Sequence, residues 1–444
     1  LKNVHDPRPH DRNPERREGD AEIAEQARAA LQRHVLQALL PHCVDREYGG
    51  FLVDFDERWR PNGPHHKTLE HASRTTTAFA LLDRVLPGEG CDRLVRHGCA
   101  FLREAMWDSS HGGFFAQVDR SGRPRCEGLK HPHAATYVAE TFMLAERFLP
   151  PGEGALWVER VRAWLDDVAW DPIHGGYWGC YRRDNERYPD GAYLPTPDGR
   201  DPLGVTAGFK EINTQSDAVE MLTLLADRGL EPAVKRLAWV LELVVDRLTD
   251  RGGTLPYLYR RDWRPVPDLA RVGSHFQLAH RLASAATRTS GAAAVVRGCE
   301  LVDFALSAAR HPAGGFCNAV TGDGRTWPAT NPQSDLRQWW VQFEALQALH
   351  VFANHEAVDR DARARYRRAR EAQWAFVRES LCDARYGGIR EFPLETRPYL
   401  GHIAPWLRAE ASPRPLKTYG WKDPLHEVKA FIALGYGPGS PGLP

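Results

Sequence analysis

Tyr48-Gly49-Gly50-Phe51 is the stretch that decides the fold, because the chain repeats it from end to end. It returns as HGGF at His111–Phe114, HGGY at His174–Tyr177, RGGT at Arg251–Thr254, AGGF at Ala313–Phe316 and YGGI at Tyr386–Ile389. Successive copies stand 62 to 77 residues apart, and in four of them an aspartate (Asp45, Asp108, Asp171, Asp383) precedes the first glycine by four positions. Self-similarity at a near-constant period marks a repeated supersecondary unit. A glycine pair ends a helix and supplies positive φ, so each copy reads as a turn between elements. Two helix-length apolar stretches lie between copies, and six such units make twelve helices in one closed or stacked architecture rather than several domains.

Working outward, Asp20 can cap a first helix that runs to about Leu40 with Ile23, Ala27, Leu31 and Val35 on one stripe. Later helices fall at Glu70–Leu86 and Ala134–Leu149, each stopped by proline, with short extended pieces such as FLVDFDE (51–57) between turn and helix. Residues 1–19, rich in proline and arginine, read as a disordered arm, 20–436 as a single catalytic domain and 437–444 as a tail. Tyr181–Phe209 lacks periodicity; a loop of that length inside a compact domain is a lid over a site or a surface insertion. Pro393–Pro415 is a second such stretch.

Composition narrows the class. Fifty-eight basic residues balance 58 acidic ones, so nothing points to nucleic acid or an anionic membrane. The eight cysteines are scattered singly, without metal-ligand spacing, as expected of reduced thiols in the cytosol. LKNVHDPRPHDRNPERREGD has no apolar signal-peptide core, and no run reaches membrane-span length. The expectation is a cytoplasmic protein, monomer or homodimer, with a small-molecule substrate. Phosphate-loop, dinucleotide, serine-hydrolase and zincin motifs are absent, and neither cofactor nor metal is expected.

Chemistry is carried by polar clusters at the starts of helices: Arg74 in HASRTTTAF, Lys210, Asn213, Asp217 and Glu220 in KEINTQSDAVEML, and His275 in VGSHFQLAHRL. Two more are Trp339, Trp340 and Glu344 in LRQWWVQFEAL, and Trp421 and His426 in KTYGWKDPLHEV. In a ring of helical hairpins these starts converge on one mouth. KEINTQSDAVEMLTLL, LRQWWVQFEAL and KTYGWKDPLHEVKA, with Arg74 and VGSHFQLAHRLASAA, resemble the helices of the N-acylglucosamine 2-epimerase family over roughly residues 20–436. The resemblance implies an all-α, (α/α)6 barrel with short β pieces and long loops at the mouth. It also implies an acid/base enzyme that moves a proton α to the carbonyl of an open-chain sugar, as 2-epimerase or aldose–ketose isomerase.

The family's two acid/base histidines map onto His275 and His426, a residue type whose ordinary pKa suits both roles. Arg74 maps onto an oxyanion-stabilising arginine, and Trp339, Trp340 and Trp421 onto stacking faces. Lys210, Asn213, Asp217, Glu220, Glu344 and His133 complete the substrate-binding set. Departures from the pattern are Asp217 in place of a histidine, Leu278 in place of a glutamate, His133 where tyrosine is common and Leu425 before the last histidine. Loss of sugar-binding groups with both histidines kept admits a second reading, a lyase or cyclase acting on a non-sugar carbonyl compound in biosynthesis. A glycosidase built on Asp217, Glu220 and Glu344, and a non-catalytic binding protein, are the remaining alternatives.

Overall fold

A computed structural model describes residues 14–266, 269–288, 291–321, 336–395 and 415–437. Six helices form an inner ring: α2 (Leu69–Val85), α4 (Pro132–Ala145), α6 (Ile212–Ala226), α8 (Val272–Ala286), α10 (Trp339–Asn354) and α12 (Leu425–Tyr436). Each packs on the next, and α12 returns to α2, which closes the ring. Six outer helices cover it: α1 (Pro14–Ala30), α3 (Cys91–Phe101), α5 (Glu153–Trp164), α7 (Glu231–Leu243), α9 (Ala292–Ala308) and α11 (Arg360–Phe376). Each inner helix packs on the outer helix that follows it, except that α12 takes α1 from the other end of the chain. The molecule is an (α/α)6 barrel.

The two rings differ in sequence because they differ in surroundings. Every residue of α4 is buried, so its apolar and small residues run all the way round. The outer helix α11 is arginine-rich but keeps Ala362, Tyr366, Ala369, Gln373 and Trp374 on one buried stripe at helical spacing. Five of the outer helices widen into a terminal π turn (Leu31–Leu36, Leu102–Met106, Leu165–Ala169, Val244–Leu248, Val377–Leu381) before the chain enters a Gly-Gly turn.

Four of the turns, those at Asp45, Asp108, Asp171 and Asp383, share one construction. In the first, Asp45 N–H donates to Gly50 O, Gly49 N–H donates to Asp45 O, and the Asp45 carboxylate accepts from the backbone N–H groups of Glu47 and Tyr48. Gly50 has φ +65°, and a Cβ there would stand 2.7 Å from the Phe101 ring, so no side chain fits. A buried lysine just before the following inner helix locks the turn. Lys67 Nζ donates to Asp45 Oδ2 (3.0 Å), Gly49 O (2.5 Å) and Arg120 O (2.9 Å). Lys130, Lys210 and Lys417 do the same for the turns at Asp108, Asp171 and Asp383. In the fifth copy Arg337 donates to the carbonyls of Ala313 and Gly314 instead.

Short antiparallel pairs rim the mouth: β1 (Lys67–Thr68) with β2 (Gln117–Val118), β3 (Lys210–Glu211) with β4 (Leu258–Tyr259) and then β5 (Pro265–Val266), and β6 (Leu269–Arg271) with β7 (Ala319–Thr321). FLVDFDE contributes isolated bridges at Phe51 and Phe55 rather than a strand. The first helix starts at Pro14, not at Asp20, since proline is well suited to an opening helical position; the remainder of the proposed arm (1–13) and residues 438–444 lie outside the described residues. So does most of Pro393–Pro415. The 181–209 insertion folds down onto the barrel, where Cys180, Tyr188, Leu194 and Ala207 join Ala116 and Leu129 in a small second core. All eight cysteines are unpaired. Among the described residues no helix is long and apolar enough to cross a membrane.

Candidate active site

A cavity of about 160 Å³ opens at the helix starts, and every inner helix contributes to its wall. Arg74 comes from α2, His133 from α4, Asn213 from α6, Gln277 from α8, Trp339 and Trp340 from α10, and His426 from α12. The rim adds Arg271, Asn318, Gln338, Tyr419 and Trp421, and the insertion reaches over to supply Pro202 and Leu203. Trp340 lies against the backbone of Gly273, where any Cβ would collide with its ring. Three tryptophans and four carboxamides therefore surround the space, a combination that stacks on a carbon skeleton and hydrogen-bonds hydroxyl groups.

His426 lines the cavity with a single carboxylate behind it. Its Nδ1 lies 2.6 Å from Glu344 Oε1, while Glu344 Oε2 receives His280 Nε2 at 2.7 Å. Burial opposes ionisation of Glu344, but the two imidazoles hold its carboxyl well below the usual range. A carboxylate behind Nδ1 fixes the tautomer and turns Nε2 toward the cavity. The Trp339 and Trp340 rings stand beside it, with centroids at 6.4 and 6.2 Å.

The groups on α4 and α6 are tied more tightly. His133 Nε2 stands 2.8 Å from Asp217 Oδ2 and its Nδ1 3.5 Å from Glu70 Oε1, so both ring nitrogens face carboxylates. Asp217 also accepts from Tyr137 Oη (2.7 Å) and pairs with Arg281. Burial works against its charge, but Arg281 and then His133 hold it well below the ordinary carboxylate range. Glu220 pairs with Arg281 (2.6 Å) and Lys429 (2.7 Å) in the barrel floor. Arg74 lies over the Tyr137 ring at 3.9 Å and reaches Asp423 at 3.4 Å.

Of the residues named from sequence, Arg74, His133, Asn213, Trp339, Trp340, Trp421 and His426 line the cavity. Asp217 and Glu344 sit one layer behind, each against a cavity histidine, and Glu220 lies deeper. Two assignments are corrected. Lys210 is fully buried in the third Gly-Gly turn, with Nζ on Asp171 (2.9 Å), Gly175 O and Arg261 O, and has no face toward the cavity. His275 is turned outward: its ring stacks on Phe304 of α9 at 4.8 Å, Nδ1 lies 3.0 Å from Arg271 O, and burial pushes its pKa down to about 4.

The interior face of α8 carries Ser274, Gln277 and Arg281, which bond Asn213, line the cavity and pair with Asp217 in turn. Their helical spacing excludes His275, which lies nearly opposite Gln277. That periodicity was the available signal. Leu278 is fully buried core. Gln277, Asn318, Gln338, Arg271 and Tyr419 were missed. Tyr419 donates to buried Glu391 at 3.0 Å, and burial raises the Glu391 carboxyl to about 7.

Residues 49–189 match the family model described as N-acylglucosamine 2-epimerase (GlcNAc 2-epimerase). The resemblance to that family is shown, in divergent form. Cellobiose 2-epimerase from Spirochaeta thermophila superposes with a TM-score of 0.78 at 19% identity, covering 96% of this chain and 98% of the other. Cellobiose 2-epimerase from Bacillus thermoamylovorans gives 0.76 at 19%, covering 94% and 98%. A D-mannose isomerase gives 0.72 at 17%, covering 96% and 98%. At these identities the solved structures share the barrel.

Proposed function

We propose that this N-acylglucosamine 2-epimerase relative is a sugar isomerase that transfers a proton α to the carbonyl of an open-chain aldose, with His426 as its one acid/base group. The observation that carries the reading is the Glu344–His426 pair against the tryptophan wall. His426 Nε2 removes the C2 proton; Arg74 stabilises the charge that develops on the carbonyl oxygen O1; the C2 hydroxyl proton passes to O1 within the enediolate; and the same imidazolium returns its proton to C1 on the same face, leaving C2 as the carbonyl of a ketose. Epimerisation at C2 requires delivery to the opposite face by a second group, and His133, the other histidine of the cavity wall, has both nitrogens against carboxylates. The carboxamides Asn213, Gln277, Asn318 and Gln338 supply hydroxyl contacts that the substitutions at Leu278 and Asp217 remove. The carboxylates of the glycosidase alternative are buried in ion pairs.

The test uses glucose and mannose carrying deuterium at C2, incubated with the protein in ordinary water and followed by NMR and mass spectrometry. Ketose retaining part of the label at C1 supports single-base transfer. Epimeric aldose with complete loss of label would replace this reading with a two-base epimerase in which His133 acts. A folded protein that exchanges no C2 proton on any aldose, cellobiose or N-acylhexosamine would end the sugar reading in favour of a non-sugar carbonyl substrate.

A further inference from the structure

Directly behind the His133 wall lies a cluster that proton transfer does not use. Glu70, in the first turn of α2, meets His131 and His133, which flank Pro132 at the start of α4. Pro132 holds His131 extended (φ −133°, ψ 114°) while His133 is already helical, so both rings fall on one side. One ligand atom from each of the three residues lies within 4.8 Å of the others. All three side chains are buried, at 0, 1 and 2% exposure, yet both Glu70 oxygens, both His131 nitrogens and His133 Nδ1 lack a hydrogen-bond partner. Buried polar atoms that meet only at ion-pair distances of 3.5 Å leave most of their desolvation uncompensated unless something binds between them.

The distances say what fits. Glu70 Oε1 stands 3.5 Å from His131 Nδ1 and 3.5 Å from His133 Nδ1. That is long for hydrogen bonds but matches the edge of a coordination tetrahedron with bonds of about 2.1 Å, roughly 3.4 Å. Behind each imidazole stands a further carboxylate: Asp201 Oδ2 at 3.5 Å from His131 Nε2 and Asp217 Oδ2 at 2.8 Å from His133 Nε2. A carboxylate on the far nitrogen is the usual support of a metal-bound histidine, since it fixes the tautomer and raises ligand basicity.

We propose that Glu70, His131 and His133 form a binding site for one divalent transition ion of the zinc or cobalt type, backed by Asp201 and Asp217. Two imidazoles and a carboxylate select such ions over magnesium or calcium. The ion ties α2 to α4 and, through Asp201, draws the 181–209 insertion onto the mouth; it also holds His133 out of proton transfer. The site departs from the metal-free expectation of the sequence and does not depend on the sugar reading.

The full-length protein, stripped with chelator and desalted, is titrated with Co2+ and with Zn2+, reading visible ligand-field absorption, metal per chain by mass spectrometry after gel filtration, and Tm. One ion per chain and a raised Tm are expected. His131→Gln and Glu70→Gln abolish retention, Asp201→Asn weakens affinity by about 10–100-fold, and His426→Asn retains the ion in full. No ion retained by wild-type protein at micromolar concentration would overturn the proposal and leave the cluster a charge-paired network. Retention undiminished in both His131→Gln and Glu70→Gln would overturn it equally, by placing the ion elsewhere.

Discussion

Two histidines from motifs of equal apparent weight end in opposite surroundings. His426 has a carboxylate on Nδ1 and open space at Nε2; His275 is sealed between a backbone carbonyl and the Phe304 ring. His426→Asn is expected to lower kcat by about 10²–10⁴-fold, the usual weight of general acid/base catalysis, with the far-UV circular dichroism unchanged. His275→Gln is expected to keep kcat within a few-fold while lowering Tm; loss of turnover there would restore it as a catalyst. Glu391 offers a pH test. Its folded carboxyl sits near 7, above the ordinary value, so the protein holds this proton more tightly than the unfolded chain. The contribution is full below about pH 4.5 and is lost as pH rises through 7, worth on the order of 3 kcal/mol. Glu391→Gln should therefore be more stable relative to wild type at pH 8 than at pH 5 in urea titrations; a pH-independent difference would contradict the assignment.

At the scale of elements, the recurring unit is an outer helix, a Gly-Gly turn and a lysine that bolts the turn beneath the next inner helix. Lys210→Met leaves Asp171 buried with Arg261 as its one remaining ion-pair partner, and breaking such a pair costs about 3–5 kcal/mol. The expectation is a large loss in denaturant midpoint with KM unchanged for the folded protein; a selective rise in KM would return Lys210 to the substrate. Much of this level was legible in the chain. The turn needs positive φ and an aspartate to collect loose N–H groups, so Gly-Gly and its upstream Asp are both visible. The lysines at 67, 130, 210 and 417 recur too, but the separation from Asp to Lys is 22 in the first two units and 39 and 34 in the others, and a lysine beside a site motif reads as a ligand. Motif matching found the right helix in VGSHFQLAHRL but not the right face, because one residue of misregister turns a side chain by about 100°. Asn318 and Gln338 were invisible since they enter from segments without periodicity, positioned only by tertiary packing.

For the whole molecule, the seam is where the first and last of the described helices meet. Arg28 on α1 donates to Gly435 O on α12 at 2.6 Å, and Asp20 pairs with Arg370 of α11. Arg28→Ala is expected to cost about 1–3 kcal/mol, the usual penalty for losing a charged hydrogen bond, and to raise amide exchange in α1 and α12 together ahead of the other helices. Uniform exchange across all six inner helices would show instead that the ring opens as one unit.

The seam also sets an order of events during synthesis. His426 rides on α12, the helix that closes the ring, and α12 follows α10, α2 and α1 in the chain and packs against all three. Until α12 docks, the other five inner helices stand with apolar flanks uncovered and Glu344 lacks its contact with His426. Completion of the cavity is thereby conditional on a closed circle: until α12 docks, one wall is absent, and a chain slow at that step is exposed to aggregation with its inner ring open.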